Sequence, residues 1–378
     1  MNIKQTLANL VAINSVSSIS NAPIIDYLDD RCIGLGFVTR RFSYIDENRI
    51  DKINLIAVVG TDFSESTEVE LALVGHTDTV PFDQNWNEAT KLSEQDGKLF
   101  GRGACDTKAF IAAVLTALEK VDLKKLQRPL ALVFTADEEI GLRGAKYLAD
   151  LEVLQPRYSI VGEPTSLQPI RGGKGYSLAE VVVRGREAHS AYPALGASSV
   201  FRAARLITRL ERLAEELKAD QHQDFDPPHT TLNVGLIRGG TAKNVIAGEC
   251  RFTVEWRPVP SQASEHVLKL INEAIDEEQK TDRDFVAEVA VERLDSGFDT
   301  AADSPIVSLM ERLTEKCAGT VAFGTEAGQM TVLGSEAVVL GPGDIREAHR
   351  TGEFVPVDQL ERCAEIIREA IRALCISD

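Results

Sequence analysis

What the chain lacks narrows its class first. No window reaches the roughly 18 consecutive apolar residues of a membrane-spanning helix, and the opening MNIKQTLANLVAI carries no charged leader ahead of a long apolar stretch. The expectation is a chain neither anchored nor exported. Its six cysteines (Cys32, Cys105, Cys250, Cys317, Cys363 and Cys375) form no C-x-x-C pair, a pattern that fits reduced, mostly buried thiols in a cytoplasm. Basic side chains are outnumbered, 41 against 58, which leaves a formal charge of −17. No basic face alternates with aromatics, so nucleic acid is not an expected partner. GGKGY lacks the Lys-Ser/Thr ending of a phosphate loop, and GRG lacks the full glycine pattern of a nucleotide site. Internal repeats and low-complexity linkers are absent too.

What is present is the composition of an ordinary globular protein, 44% hydrophobic and 26% charged. At 378 residues the chain exceeds what one core holds, so two domains are expected. Ile3, Leu7, Leu10 and Val11 share one helical face. Short apolar runs then alternate with helical patterns: LALVG (71–75), AFIAAVLTALEKV (109–121), LALVFTA (130–136), RGAKYLADL (143–151) and SIVGE (159–163). That alternation predicts an α/β domain with a mostly parallel sheet and crossover helices.

From about residue 175 the pattern changes. GYSLAEVVVRG reads as a strand, and a helix follows with Val200, Ala203, Ile207, Leu210, Ala214 and Leu217 at spacings of three and four. Leu232, Val234 and Leu236 alternate in one half-buried strand, and Cys250, Phe252, Val254 and Trp256 in another. A second helix with Leu268, Ile271 and Ile275 leads to a strand with Phe285, Ala287, Val289 and Val291. The order βαββαβ predicts a ferredoxin-like unit. The first pattern returns after about residue 295 with AVVLGPG and a helix marked by Leu360, Ala364, Ile367, Ile371 and Leu374. The expected organisation is therefore 1–174 and 295–378 as two parts of one catalytic domain, with 175–294 inserted between them.

Polar residues fall where this arrangement can use them. His76 and Asp78 end LALVGHTD, Glu138 and Glu139 end LALVFTADEE, Glu163 ends SIVGEP, and His349 follows AVVLGPG. The carboxyl ends of strands form the ligand crevice of an open α/β sheet. Asp106 arrives in the loop GRGACD just ahead of a helix. Taken singly, Asp106 fits a helix N-cap, Glu138 and Glu139 fit first-turn acids, and the histidines fit structural roles. Taken together, acids gathered at one edge need a compensating cation.

Imidazole nitrogens with carboxylate oxygens suit two ions of the zinc or cobalt type. With Asp106 as a bridge, one ion takes His76 and Glu163 and the other takes Glu139 and His349. Three protein ligands for each ion leave room for a shared water. Asp78 is then free to orient His76, and Glu138 to act as general base.

In order and spacing, HTDTVP, GRGACDTKA, TADEEIGLRGA, GEPTSLQPIRGGKGY, GREAHSAYP and GPGDIREAH resemble the dinuclear zinc deacylase and exopeptidase family along essentially the whole chain. EPTSLQP, FGTEAG (323–328) and LGPG before His349 are most similar to the branch acting on N-acetylornithine. The resemblance implies the same metal ligands and the same base. It further implies a homodimer held through the inserted lid domain, with His189 crossing to the partner's site to steady an oxyanion, and Arg257 with Asn244 receiving the substrate carboxylate. The implied reaction is hydrolysis of N-acetylornithine to ornithine and acetate, a step of arginine biosynthesis. Other N-acyl amino acids such as acetylcitrulline or succinyl-diaminopimelate, dipeptides, and a metal-binding scaffold without catalysis are the alternatives. Gly173 departs from the family pattern, which leads one to expect histidine there.

Overall fold

The computed structural model describes residues 2–282 and 284–376. Ten strands organise it: β1 (Val38–Ile45), β2 (Asp51–Val59), β3 (Thr67–His76), β4 (Leu130–Thr135), β5 (Leu154–Val161), β6 (Tyr176–Arg184), β7 (Thr231–Gly239), β8 (Glu249–Arg257), β9 (Val286–Asp295) and β10 (Glu336–Val339). The helices are α1 (Ile3–Ala12), α2 (Ala22–Gly34), α3 (Lys108–Leu118), α4 (Arg143–Leu151), α5 (Ser199–Glu216), α6 (Glu265–Thr281), α7 (Pro305–Thr314), α8 (Ala327–Val332) and α9 (Val357–Ile371). Among the described residues no helix is long and apolar enough to cross a membrane.

The chain divides into two compact units. One takes the chain up to Arg171 together with Thr300–Gly319 and the part from Thr325 onward; the other takes Gly172–Asp299 and Thr320–Gly324.

In the first unit the strands run in the order β1-β2-β4-β3-β5-β10. The four strands β4, β3, β5 and β10 are parallel, and the hairpin β1-β2 adds an antiparallel edge. Parallel strands are covered on both faces, and their side chains divide accordingly. Leu71, Leu73, Leu130, Leu132, Phe134, Ile160 and Val338 join one core with residues of α1, α3 and α9. Ala72, Val74, Ala131, Val133 and Val161, on the alternate positions, are equally buried outside that core, and α4 packs with α8 and β2. Hydrophobic periodicity located the parallel strands but not the hairpin β1-β2, whose outer strand is half covered and whose inner strand is buried.

The second unit is a four-stranded antiparallel sheet, β7-β8-β6-β9, with α5 and α6. Ala179, Val181, Val183, Phe252, Val254 and Trp256 pack against Ala203, Leu206, Leu210, Val267 and Ile271. Both edge strands break the alternation that the sequence suggests. A register shift between Val234 and Leu236 pairs Leu236 with Thr253 and leaves it 61% exposed, while Val291, still opposite Ala179 just ahead of a second shift, is 44% exposed. An inserted residue rotates the rest of a strand to the other face, and bulges are common at sheet edges. Val200, placed on the inner stripe of α5 by its spacing, is likewise 37% exposed because Ala203 and Leu206 take that face.

Candidate metal centre

His76 is the last residue of β3 and lies beside Thr135, the last residue of β4, in the parallel register. The chain between them and α3 is fastened from a distance. Glu353 Oε1 accepts the backbone N–H groups of Cys105 and Asp106 at 2.8 and 3.0 Å, and its Oε2 receives Arg102 at 2.6 Å. Those bonds set the Asp106 backbone within a buried loop whose Asp106–Thr107 peptide is cis.

The Asp106 carboxylate stands between two imidazoles. Its Oδ1 lies 3.0 Å from His76 Nε2 and its Oδ2 lies 3.1 Å from His349 Nε2. Glu139 Oε1 lies 3.1 Å from the same His349 nitrogen. One ligand atom from each of His76, Asp106 and Glu139 falls within 4.8 Å of the others. Glu163 is buried, and its carboxyl feels the charges of Asp106, Glu138 and His76.

The turn bearing Glu138 and Glu139 is pinned from beneath. Lys52 Nζ donates to Asp137 Oδ1 at 2.8 Å, with both side chains 1% exposed, and Tyr44 donates to Asp137 Oδ2 at 2.8 Å. Asn54 accepts the Ala136 N–H at 2.9 Å. Gly144 closes the turn where no side chain fits, since a Cβ there would lie 2.3 Å from Asn54 Oδ1.

Asp78 does different work from that expected. His76 Nδ1 lies 3.0 Å from the backbone carbonyl of Asp78, while the Asp78 carboxylate is 3.7 Å away. The main chain therefore orients the imidazole. The carboxylate instead accepts the Ser17 hydroxyl at 2.7 Å and the N–H groups of Glu138 and Glu139 at 3.1 and 3.3 Å. Its two oxygens are drawn toward the 138–139 turn, which is why they miss the ring.

Burial acts on every acid in the cluster. It pushes the Glu138 carboxyl well above the carboxylate range, with Glu139 adding to the rise and His76 opposing it. Glu163 is raised in the same way, by burial and then by Asp106 and Glu138. Burial also pushes Asp106 up, but hydrogen bonds from His349 and His76 outweigh it and hold Asp106 low. His349 rises to about 10 through Asp106 and Glu139. Burial alone would favour neutral His76, yet Asp106 keeps its pKa well above the usual imidazole value.

Positive charge is thus favoured at both imidazole nitrogens that face Asp106. Protons and divalent cations compete for such nitrogens, and His76, Asp106 and Glu139 each offer one ligand atom to the same small space. The residues fit a metal centre.

The second unit holds the remaining candidates. His189 pairs with Val245 between two short strands, is exposed, and accepts the Ala191 N–H at 3.1 Å through Nδ1. Asn244 is its neighbour, with its carbonyl receiving the Ser190 N–H at 3.0 Å. Arg257 donates to Glu255 at 2.8 Å, and its guanidinium lies 3.6 Å from the centre of the Tyr176 ring. Gly173 has no room for the expected histidine, because a Cβ would lie 2.7 Å from the Phe298 ring.

Sequence reasoning did not find Glu353, Lys52, Asp137 or Glu326. Glu326 is 1% exposed, and burial raises its carboxyl to about 7 against the opposing influence of His76 and Thr135. FGTEAG was singled out by resemblance, but nothing in its spacing marked this glutamate.

A mostly parallel sheet that carries imidazoles and carboxylates into one buried cluster defines an α/β metallohydrolase. Residues 72–373 match peptidase family M20/M25/M40, and the chain belongs to that family. It is 49% identical over 374 residues to an acetylornithine deacetylase of Myxococcus xanthus, a match spanning 99% of this chain and 97% of the relative. An acetylornithine deacetylase of Proteus mirabilis is 33% identical over 395 aligned positions, covering 100% and 99% of the two chains. Among solved structures, a tripeptidase from Staphylococcus aureus superposes with a TM-score of 0.78 at 24% identity, covering 98% of this chain and 97% of the other. That last likeness concerns the fold.

Proposed function

We propose that the protein hydrolyses the amide bond of an N-acyl amino acid, foremost N-acetylornithine, to give ornithine and acetate, a step of arginine biosynthesis. The observation that carries this reading is Asp106, set between His76 and His349 with one oxygen toward each. The 49% identical relative named as an acetylornithine deacetylase supports the choice of substrate.

In this reading His76 and Glu163 would hold one divalent ion and Glu139 and His349 the other, with Asp106 shared between the two sides, and zinc or cobalt would match the donors. Such ions, when bound, polarise a carbonyl and make water acidic enough to lose its proton near neutral pH. Glu138 accepts that proton as the water oxygen bonds to the acyl carbon. It then delivers the proton to the amide nitrogen as the C–N bond breaks, so acetate and the free amine leave in balance. Asp78 keeps Glu138 and Glu139 in register through their main-chain N–H groups.

The second unit serves as lid and dimer contact. Exposed Tyr192, Leu195 and Phe201 give it apolar surface for a second copy to cover. His189 reaches the partner's site to steady the oxyanion, and Arg257 with Asn244 meets the substrate carboxylate. A cytoplasmic location agrees with the free cysteines.

The test is an assay of purified protein, loaded with zinc or cobalt, against N-acetylornithine, N-acetylcitrulline, succinyl-diaminopimelate and a panel of dipeptides. Preferred cleavage of N-acetylornithine is expected. Preferred cleavage of a dipeptide, or no hydrolysis by the metal-loaded protein, would overturn the reading.

A further inference from the structure

Among the described residues of the first unit, Thr135 Oγ1, Glu326 Oε1 and Gln329 Oε1 are buried oxygens without a hydrogen-bond partner, as are Asp29 Oδ1 and Thr116 Oγ1 elsewhere in it. The first three belong to one neighbourhood. Glu326 occupies the N-cap position of α8 without a capping bond from its side chain, and Gln329 follows three residues later, the spacing that places two side chains on one helical face. Thr135 lies beside Glu326, and its hydroxyl favours the charged carboxylate, yet neither atom closes a hydrogen bond. Thr135 is also the register partner of His76. Glu138 and Glu163 both feel the Glu326 charge. Thr135 and Glu326 therefore border the metal centre, with Gln329 three residues on from Glu326 along α8.

An unpaired buried acid is costly, and orphaned buried acceptors call for a ligand or an ordered water. Glu326 makes no ion pair with any described basic side chain, unlike the other buried acids Asp137 and Glu353, which have Lys52 and Arg102. What the trio offers is one negative charge and three acceptors. An alkylammonium offers one positive charge and three donors.

We propose that Glu326, with Gln329 and Thr135, forms the subsite that receives the side-chain ammonium of the N-acyl amino acid. The inference rests on the proposed deacylase reading and adds to it the group that selects a basic side chain. A neutral side chain of the same length would leave the three acceptors unmet. A site built to hydrogen-bond a substrate group rejects analogues lacking that group far more strongly than an apolar pocket rejects a missing methylene.

The test compares kcat/KM for N-acetylornithine and N-acetylnorvaline, which share a three-carbon side chain and differ in the terminal ammonium. Glu326→Gln keeps the shape and removes the charge, and the ratio of the two values should fall at least tenfold, chiefly through KM for N-acetylornithine. Calorimetry should report the same selective weakening for ornithine against norvaline as product ligands, independently of turnover. Should Glu326→Gln fail to fold, Gln329→Leu is read in the same way, with at least a threefold fall expected.

A ratio within twofold of wild type in the folded variant overturns the subsite while leaving the deacylase reading intact. Wild-type protein that hydrolyses neutral N-acetyl amino acids but not N-acetylornithine overturns the proposed substrate, and the subsite with it.

Discussion

Glu353 accepts the backbone N–H of Asp106 at 3.0 Å, although 247 residues separate them in the chain. The same carboxylate pairs with Arg102, so one buried acid fastens the loop that carries Asp106. Glu353→Ala would strand a buried guanidinium and two main-chain donors. Removing one partner of a buried pair costs about 3–5 kcal/mol. Chemical denaturation should show a loss of that order, with metal content reduced alongside. A variant as stable as wild type would contradict the role.

Glu138→Gln preserves the side-chain shape and removes the proton shuttle. The variant should keep its metal and lose roughly a hundredfold or more in kcat, the scale of a positioned general base. Metal analysis and steady-state kinetics on one preparation check both halves. Near-normal turnover would assign the proton transfer elsewhere.

Asp106 faces both imidazoles, whereas His349 and Glu163 each belong to one side of the proposed pair. Asp106→Ala should therefore deplete both ions, and His349→Ala or Glu163→Ala chiefly one. Elemental analysis of the three purified variants gives the stoichiometry directly. Two tightly held ions in Asp106→Ala would exclude a bridge.

Asp78 binds the 138–139 turn rather than the ring of His76. Asp78→Ala should consequently lower kcat by roughly tenfold or more through a misplaced Glu138, while His76 keeps its main-chain partner and much of its affinity for metal. A variant that loses metal in proportion to activity would return Asp78 to the role of orienting the imidazole.

His189 stands in the second unit, and its proposed contribution crosses a dimer. Mixing inactive His189→Ala with inactive Glu138→Gln subunits should restore turnover, because one site of each heterodimer would hold Glu138 and the partner subunit's His189. No recovery after verified subunit exchange would leave the oxyanion to other groups.

The sequence by itself determined the parallel strands and the chemistry at their ends. Buried strands read as continuous apolar runs, so the acids and histidines closing LALVGHTD, LALVFTADEE and SIVGEP could be placed before any coordinates. His76, Asp106, Glu139 and His349 do converge. The tertiary structure alone decided what holds them. Glu353 on Asp106, Lys52 beneath Asp137, and Asp78 turned toward Glu138 join residues remote in the chain, and such contacts leave no periodic trace near either partner. The bulge that exposes Leu236 was equally hidden, since one extra residue reverses the face of a strand without altering its composition. Glu326 shows the same limit most sharply: its identity is plain in the sequence, but only folding buries it beside the site with an oxygen left unpaired.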